Sequence, residues 1–584
     1  MTTPRRLRES IELDSKFQIN KEIIEKMNNK KRWTMFELRK EMTALLLSLL
    51  LFGQVFAQTT APAVGSLSAT EKEIAEKITI AAIKEYTTAL AAPEMEGRGT
   101  MQPGGDKAAN WIAERFQKFG LKPLGDKGSY LQKIEFKEIV ATPETMFKAG
   151  DETLAFGTDY GILPMNNGNK DVSGDMVFVA YGIVADSIKR NDLAGIDVQG
   201  KIVVMLEGPP ANLPKEAWKK QKASMIFMQN LMQKGAAAIV FIGHGREDNP
   251  PDELISYFSR RQISMPDEEG YPAFVPPIIY VGSKGAEKLF AKSGVTVKDA
   301  LQRAEGNDFK PIKLNQKGRL VAKYKSTKGL SSNVVGVLEG SDPKLKEEAV
   351  LFSAHYDAYG KEGDKIYYGA ADNALGTSEM LAVAEAYSKL SVKPKRSMIF
   401  LAVTGEEYGL YGSKYWAKKP TWDIKKIAAN LNLDGVGTEV YAPVKTMVGY
   451  GAEHSSLGAM LEDVAKVLEI KVVPDPVPDE KVFYRSDHYS FVERGVPALM
   501  LMGAPEGDIQ VAMKRMKEWE KTDYHQPGDV IQPNWVWQGA ETVAEVMGIL
   551  GWRISEMEKM PEWLSTGRFA KLERGNTKEL PKEQ

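Results

Sequence analysis

The segment 349–434 contains one histidine and four carboxylates at positions where chemistry could occur. Four of these residues lie where short apolar runs end, and one lies where a helix is expected to begin. These candidate site residues are His355, Asp372, Glu406, Glu407 and Asp434. A second histidine, His525, lies in the later stretch DYHQPGDV and offers another imidazole. Imidazole nitrogens and carboxylate oxygens are the donors that zinc and similar divalent ions take in proteins. The residue types therefore predict a metal site.

The number of ligands predicts a pair of ions. Five protein ligands can bind two divalent ions if one carboxylate bridges them, and Asp372 lies between the other ligands in the sequence. We expect His355 and Asp434 to bind one ion, and Glu407 and His525 to bind the other. Two ions about 3.5–4 Å apart can share a hydroxide, lower its pKa and polarise a carbonyl group. The chemistry that this predicts is hydrolysis.

The two adjacent glutamates are expected to have different roles, one as a metal ligand and the other as a general base. At a tight turn after a strand their side chains diverge, so that Glu407 can bind metal while Glu406 acts on the attacking water as a general base. Asp357 lies two residues after His355 and is expected to accept the second imidazole N–H, which fixes the tautomer. Adjacent glutamates usually lie on a solvated helix, but here they end an apolar run and are flanked by glycines.

Buried parallel strands are the elements that can position these residues. Three apolar runs are too short for helices and read as strands. They are Ala349–Ala354, Ser397–Val403 and Ile427–Leu433. Ligands of an open parallel sheet bind beyond the carboxyl ends of its strands, so an α/β fold would bring the candidates to one edge. A helix is expected from Asp372, and a long loop is expected to lead to His525.

Each motif also has a plain structural interpretation. The histidine of HYD can be structural, ADN can be a simple helix cap, and SDH can be a polar network under a loop. The motifs carry weight together, because chance would have to place all of them at the edge of the sheet.

Composition narrows the class of protein. The chain has 584 residues, of which 43% are hydrophobic and 27% charged, with a net charge of −1. That length allows two or three domains and a large core. The chain has no excess of basic residues, so its composition does not indicate a nucleic acid partner. The sequence contains no cysteine, which excludes disulfides and, for an exported protein, fits a bacterial periplasm or exterior.

The amino-terminal residues 1–57 have the pattern of a leader. The apolar run Thr43–Phe52 follows basic residues and precedes small residues, as in a secretory signal peptide. We expect cleavage after Ala57, periplasmic or extracellular localisation, and no stable membrane span in the mature protein. An uncleaved anchor is the alternative. Translation is expected to start at Met35 or Met42.

The remaining chain is expected to form two domains. Residues 58–141 and 322–560 are predicted to make a discontinuous catalytic domain, and 142–321 an inserted β-rich domain with no chemistry of its own. His244 stands alone in that insertion and is interpreted as a surface residue. Residues 561–584 form a charged tail that we expect to be frayed.

These motifs give the chain a resemblance to the zinc-dependent M28 peptidases, the group of bacterial aminopeptidases and glutamate-carboxypeptidase-like enzymes. The matching motifs are HYD at 355–357, ADN at 371–373, GEE at 405–407, LDG at 433–435, RSDH at 485–488 and YH at 524–525. The resemblance covers about 76–140 and 325–557. It implies an α/β fold with a mixed central sheet and two Zn²⁺ per chain, with the ligand roles given above. The insertion resembles a protease-associated (PA) domain.

The resemblance also implies roles for two further residues. Tyr524 would donate a hydrogen bond to the oxyanion of the tetrahedral intermediate, and Arg485 would contact bound substrate. A phenol beside a ligand histidine can equally be a packing residue. The partners implied are peptide or protein substrates, and the activity implied is that of an exported aminopeptidase. Glu406 would take a proton from the attacking water and pass it to the leaving amine.

Three other functions remain open at this point. A glutaminyl cyclase-like transferase uses the same scaffold with one zinc, whereas both His355 and His525 are retained here. A non-catalytic, receptor-like binding protein would be expected to have lost ligands. A glutamate-carboxypeptidase-like exopeptidase would need a basic pocket, and the sequence alone does not show one. Oligomeric state is not predicted.

Overall fold

The computed structural model describes most of the chain after the leader. The described residues are 65–165, 168–211, 213, 223–243, 253–268, 272–435, 438–440, 442–505, 509–578 and 580. The leader 1–57 and His244 lie outside the described residues. Cleavage of the leader and the surface position of His244 therefore stay predictions. None of the described helices combines the length and the hydropathy needed to cross a membrane.

Ten of the described strands form one mixed sheet. In spatial order they are Gln262–Ser264, Leu131–Ala141, Tyr324–Leu338, Ser397–Val403, Ala349–His355, Ile427–Asn432, Ala498–Pro505, Val444–Tyr450 and Lys471–Val473, with Lys122–Pro123 paired to Tyr324–Leu338. The four strands from Ser397–Val403 to Ala498–Pro505 run parallel, and the strands beside them are antiparallel. The predicted α/β fold with a mixed central sheet is confirmed.

Helices cover both faces of this sheet, which is why its central strands are apolar on both sides. The helices outside the inserted block are Ala69–Lys77, Ile80–Leu90, Pro103–Lys118, Gly376–Ser388, Tyr411–Lys418, Leu457–Val467, His488–Val492, Ile509–Thr522 and Gln538–Glu556. Phe352 and Phe400 stack on neighbouring strands with ring centroids 5.2 Å apart. Gly551 allows the last helix to approach them, because a Cβ there would lie 2.4 Å from Cζ of Phe352.

A second sheet of eight described strands forms the inserted block. In spatial order they are Glu152–Leu154, Met146–Ala149, Ile312–Ala322, Lys170–Phe178, Ile202–Leu206, Ala238–Ile242, Ile278–Val281 and Tyr160–Ile162. Its helices are Ala223–Gln233, Glu253–Ser259, Ser283–Phe290 and Val297–Ala304. These strands lie between residues 146 and 322, and they enclose a hydrophobic core of their own. The domain limits at 142 and 321 and the PA assignment stay predictions.

The loop expected before His525 contains a helix instead. Ile509–Thr522 is α-helical, and among its described side chains Met513, Met516 and Trp519 are buried. Their spacing of three puts them on one face of a helix. The surrounding run of charged residues obscured this short apolar stripe in the sequence.

The charged tail is packed rather than frayed over its described residues. Phe569 is buried. The guanidinium of Arg574 donates to the carbonyl oxygens of Ile427 and Ala428, each at 2.8 Å. The expectation of a frayed tail is therefore wrong for 561–578, because aromatic side chains and Arg574 anchor a segment whose composition is otherwise that of a disordered end.

Candidate metal centre

The predicted ligands meet at the carboxyl edge of the central strands. His355 is the last residue of its strand. Glu406 and Glu407 follow the parallel strand on one side, and Asp434 follows the parallel strand on the other. Asp372 lies in the irregular turn before the helix Gly376–Ser388. The rule that parallel strands share a binding edge thus accounts for the convergence.

His355 lies between two of the predicted ligands. Its Nε2 atom is 3.2 Å from Oδ1 of Asp372 and 3.2 Å from Oδ1 of Asp434. The histidine is buried. These three residues offer ligand atoms that lie within 4.8 Å of one another, which is a separation that one ion can span.

His525 forms a second group with the same aspartate. Its Nε2 atom is 3.3 Å from Oδ2 of Asp372 and 3.1 Å from Oε2 of Glu407. Ligand atoms of these three residues also lie within 4.8 Å of one another. Asp372 therefore turns one carboxylate oxygen toward each histidine, as its predicted bridging position requires.

The donor set fits two zinc ions. Each group offers one imidazole nitrogen and two carboxylates, and zinc accepts both types of ligand. Oε1 of Glu407 is buried without a hydrogen-bond partner in the described part of the chain. A buried carboxylate oxygen without a donor is costly unless a cation compensates it. The ligands could therefore hold one ion between His355 and Asp434 and one between Glu407 and His525.

The charges around the two histidines favour a cation. Burial would lower the pKa of His355, but nearby carboxylates, Glu406 foremost, hold that pKa well above its usual value. Burial also opposes protonation of His525, yet Glu407 and Asp372 raise its pKa to about 9. Burial would raise the pKa of Asp372, and its two imidazole neighbours lower it below the usual range. The carboxylates thus outweigh the cost of burying positive charge.

The family comparison covers this whole site. Residues 333–548 match the family model described as Peptidase family M28. That stretch contains the five predicted ligands and the four other residues singled out in the sequence. It is an M28 peptidase domain. The resemblance inferred from the motifs is thereby confirmed, and the chain carries the domain of a hydrolase of the peptidase class.

A fungal relative matches over part of this M28 domain. The vacuolar membrane protease of Clavispora lusitaniae is 40% identical over 107 residues, which is 18% of this chain and 10% of that protein. The chain thus spans about a tenth of the length of the relatives that it matches.

Two solved structures share the fold over most of the chain. The aminopeptidase from Aneurinibacillus sp. strain AM-1 superposes with a TM-score of 0.54 and 19% identity, covering 84% of this chain and 97% of that one. BSAP, a zinc aminopeptidase from Bacillus subtilis, gives 0.54 and 18%, covering 82% and 96%. At these identities the likeness establishes the fold.

The M28 domain supports His355 differently from what the sequence predicted. The Nδ1 atom of His355 lies 3.2 Å from the backbone carbonyl oxygen of Asp357 and 3.8 Å from the Asp357 carboxylate. The carboxylate instead accepts from the Thr100 hydroxyl at 3.0 Å and from the backbone N–H of Glu406 at 3.4 Å. Burial raises the pKa of Asp357 to about 6. Asp357 thus faces the Glu406 turn, and its backbone, being nearer, supplies the acceptor for the imidazole.

Asn373 connects the turn that carries Asp372 to the loop that carries Asp434. Its side-chain oxygen accepts from the N–H groups of Gly376 at 2.9 Å and Gly435 at 3.2 Å. Its amide nitrogen donates to the carbonyl oxygen of Leu433 at 3.0 Å. The ADN motif therefore provides one acceptor for the first residue of the following helix, and the same asparagine connects the two ligand loops.

The RSDH motif supports Asp434 through its serine. The hydroxyl of Ser486 donates to Oδ2 of Asp434 and accepts from the side-chain amide of Asn432 at 2.9 Å. Oδ1 of Asp434 is left facing His355. This short chain of hydrogen bonds orients the aspartate, as partners of ligand carboxylates commonly do.

Two buried residues that the sequence did not single out hold the ligand loops. Asp529 accepts hydrogen bonds from the backbone N–H groups at the Asp372 turn. Arg98 is buried and donates to four backbone carbonyl groups. Those carbonyls belong to Leu90, Tyr356, Tyr368 and Gly369. Only the glycine-bearing loop EGRGT around Arg98 offered a signal in the sequence.

A cavity opens beside the ligands. Glu406 lines it with His355 and Asp372, and Arg485 and Tyr524 lie on its wall. The ring of Tyr524 stacks on the imidazole of its neighbour in the chain, with centroids 3.6 Å apart. All nine residues singled out from the sequence thus lie in or beside one site.

Proposed function

We propose that this chain is a zinc aminopeptidase with two Zn²⁺ per chain, acting on the N-terminal bond of peptide or protein substrates. The observation that carries the proposal is the position of Asp372, whose two carboxylate oxygens lie 3.2 Å from His355 and 3.3 Å from His525. One carboxylate between two histidine-containing groups is the arrangement that a paired-metal hydrolase needs. A single-zinc transferase would leave one group without a purpose.

The ions would be held by the residues already named for them. His355, Asp434 and one oxygen of Asp372 would hold the first, and Glu407, His525 and the other oxygen the second. When bound, zinc supplies a Lewis acid for the scissile carbonyl and lowers the pKa of a water molecule. The remaining chemistry belongs to side chains around the cavity.

Glu406 is proposed as the general base. It lines the cavity beside His355. Burial holds its pKa well above the usual range, and Asp434 and Asp487 add to the effect. A carboxylate of raised pKa can take a proton from the attacking water and return it to the leaving amine. Tyr524, on the same wall, is proposed to donate a hydrogen bond to the developing oxyanion.

The cavity walls suggest which substrates fit. One wall is apolar and consists of Val482, Met500, Met516 and Trp519. Two further acids, Glu480 and Glu520, line the same cavity. An excess of carboxylates favours a free α-amino group, and the apolar wall favours a hydrophobic first side chain. Peptides that begin with leucine, methionine or phenylalanine are therefore the proposed substrates.

One observation favours a second candidate. Arg485 also lines the cavity, and a guanidinium can bind a carboxylate in a bidentate manner. A glutamate-carboxypeptidase-like exopeptidase would use Arg485 to hold an acidic terminal residue. The acids Glu480 and Glu520 oppose that use.

A substrate panel distinguishes these candidates. We expect leucine, methionine and phenylalanine p-nitroanilides to be hydrolysed, and their N-acetylated forms to be inert. Zinc content measured by elemental analysis should be two per chain, and a chelator should abolish hydrolysis. Cleavage of N-blocked peptides with acidic carboxyl ends would support the carboxypeptidase. No hydrolysis of any peptide by the zinc-loaded protein would refute both.

Substitution of Glu406 tests the assignment of the base. We expect Glu406→Gln to lower kcat by at least about a hundredfold while two zinc ions stay bound. Glu518→Gln is the matched control. Glu518 carries an exposed carboxylate on the helix Ile509–Thr522, three of whose residues line the cavity. This variant should leave kcat unchanged. Near-normal turnover of Glu406→Gln would assign the base to another residue.

Export belongs to the same proposal. It is supported by the leader pattern in residues 1–57 and by the absence of cysteine from the sequence. Expression in a bacterial host followed by N-terminal sequencing tests it. Recovery of protein beginning after Ala57 outside the cytoplasm is the expected result, and an uncleaved protein in the cytoplasm would contradict it.

A further inference from the structure

The inserted block reaches the metal centre at the point where the chain crosses from its own sheet to the central sheet. The helix Glu253–Ser259 belongs to the inserted block, where Phe258 stacks on Tyr280 with ring centroids 5.7 Å apart. The strand Gln262–Ser264 pairs antiparallel with Leu131–Ala141 of the central sheet. Arg260 and its neighbour in the chain form the two-residue connection between these elements.

Arg260 is buried at this crossing and contacts the loop that carries His525. Its exposure is 2%. Its Nη2 atom donates a hydrogen bond to the backbone carbonyl oxygen of His525. The guanidinium also lies over two tyrosine rings, 4.2 Å from the centroid of Tyr359 and 4.5 Å from that of Tyr367. Stacking and one directed hydrogen bond therefore fix its plane.

Tyr359 connects the arginine to the imidazole itself. Its hydroxyl oxygen lies 3.2 Å from Nδ1 of His525, and the two rings meet edge to face with centroids 4.8 Å apart. When Nε2 binds a metal ion, the imidazole proton would lie on Nδ1, which could then donate to this hydroxyl oxygen. The imidazole also stacks on the ring of Tyr524, with centroids 3.6 Å apart. The ring is thus held by two tyrosines, one of which also reaches Nδ1.

The backbone of His525 needs such support. Its φ of 57° lies in the left-handed region, which a residue with a Cβ adopts only at some cost. The hydrogen bond from Arg260 acts on the carbonyl of this same residue. Without it, the histidine is expected to relax toward a conformation that turns Nε2 away from its carboxylate neighbours.

We propose that Arg260 of the inserted block, together with Tyr359, is a positioning residue that orients His525 as a metal ligand. The inserted block is then a structural part of the metal centre. The inference rests on the proposed two-zinc function, since it assigns to Arg260 a role in one of the two sites. The other site, around His355 and Asp434, has no contact with Arg260 and should not depend on it.

Zinc titration of the metal-free protein tests this directly. We expect two binding events in the unaltered chain. Arg260→Ala should weaken one of them by about ten- to a hundredfold, the usual effect of losing a partner of a metal ligand, and leave the other unchanged. Arg260→Lys keeps the charge but lacks the planar fork, and we expect it to recover only part of the lost affinity. Competition with a chromophoric chelator gives both constants without measuring hydrolysis.

Arg190→Ala is the matched control. Arg190 is equally buried in the inserted block, lies over the ring of Tyr181 and donates to the carbonyl oxygen of Ala304 at 2.6 Å. It has no contact with the metal centre. We expect this variant to lose stability and to keep both zinc affinities. A loss of affinity here as large as in Arg260→Ala would reduce the effect to general destabilisation and overturn the proposal.

The outcomes separate the two hypotheses. If the unaltered chain binds two zinc ions and folded Arg260→Ala binds both with unchanged affinity, the role of Arg260 is refuted and the proposed function stands. If the unaltered chain binds no zinc, both fail. Should Arg260→Ala not fold, Tyr359→Phe decides, because it removes only the hydroxyl at Nδ1. Unchanged affinities in Tyr359→Phe would then overturn the proposal, and weakening of one event would support it.

Discussion

The carboxylate of Asp529 accepts a hydrogen bond from the backbone N–H of Asp372 at 3.0 Å. Its second oxygen accepts from the N–H of Ala371 at 2.9 Å. Burial raises the pKa of Asp529 to about 7, although these two N–H groups oppose the effect. The buried aspartate thus fixes the backbone of the turn from which the proposed bridging ligand projects.

Replacement of Asp529 should therefore weaken zinc binding at both sites together. In Asp529→Asn, the amide NH₂ faces a backbone N–H, so one hydrogen bond is lost and two donors oppose each other. We expect both zinc affinities to fall by about ten- to a hundredfold, measured by chelator competition. Affinities like those of the unaltered chain would show that the turn holds Asp372 without this partner.

Asp192→Asn is the control for that substitution. Asp192 is a buried aspartate of the inserted block and accepts from the backbone N–H groups of Tyr181 at 3.2 Å and Ile183 at 3.0 Å. The same chemical change is made there far along the chain from the ligands. We expect a loss of stability with unchanged zinc affinities.

A second prediction concerns Arg98, which ties the His355 loop to the Asp372 turn. Its guanidinium donates to the carbonyl oxygens of Tyr356 at 2.5 Å and Gly369 at 2.7 Å. A lysine cannot reach these acceptors in one plane. We expect Arg98→Lys to lower kcat/KM at least about tenfold and the free energy of unfolding by about 2–4 kcal/mol.

Arg396→Lys separates the two effects. Arg396 is equally buried and donates to the carbonyl oxygen of Ile554 at 2.9 Å and to Glu348 at 2.8 Å, away from the metal centre. We expect a similar loss of unfolding free energy, read from urea denaturation, with kcat/KM unchanged. If Arg98→Lys also kept its kcat/KM, Arg98 would be a stabilising residue only.

Three of the ligands could be predicted from the sequence because each ends or follows a recognisable strand. An apolar strand followed by an acid or a histidine needs no knowledge of distant residues, and the parallel arrangement brings such ends together. His355, Glu407 and Asp434 were found in this way. Asp372 was placed by its position between them, although the turn that carries it is irregular and was expected to be a plain helix start.

The supporting residues could not be found by the same reasoning. Arg260 contacts a residue 265 positions away, and nothing in the sequence around it indicates that partner. Asp529 lies 157 positions from the turn that it holds. Such contacts depend on how the inserted block, the central sheet and several loops pack, and neither hydrophobic periodicity nor motif spacing carries that information. Sequence reasoning accordingly predicts no chemistry for the inserted block, whereas its arginine reaches the loop of the proposed metal centre.

A third prediction concerns metal removal. The folded chain brings the carboxylates of Asp372, Glu407 and Asp434 together with two imidazoles, a set of ligands that the unfolded chain does not hold in place. We expect zinc at a hundred times its dissociation constant to stabilise the protein by about 2.7 kcal/mol per site, seen as a rise in Tm by calorimetry. His525→Ala should keep only part of that rise. An equal Tm with zinc and with chelator would contradict zinc binding to the folded chain.

The last prediction is a pH dependence of stability that arises at His488. This histidine is buried, and its ring meets Phe483 with centroids 5.2 Å apart. Burial lowers its pKa to about 3, whereas in the unfolded chain it titrates near about 6.5. Between these values the unfolded state binds the extra proton, so the unfolding free energy must fall as the pH falls from about 6.5 toward 3. At pH 5 the loss of unfolding free energy from this group amounts to about 2 kcal/mol.

Urea denaturation in the presence of chelator, at pH 7.5 and at pH 5, tests this prediction. Between these two pH values, His488→Phe should lose about 2 kcal/mol less unfolding free energy than the unaltered chain. Equal losses would mean that His488 is protonated in the folded protein, or already neutral in the unfolded one, at pH 5.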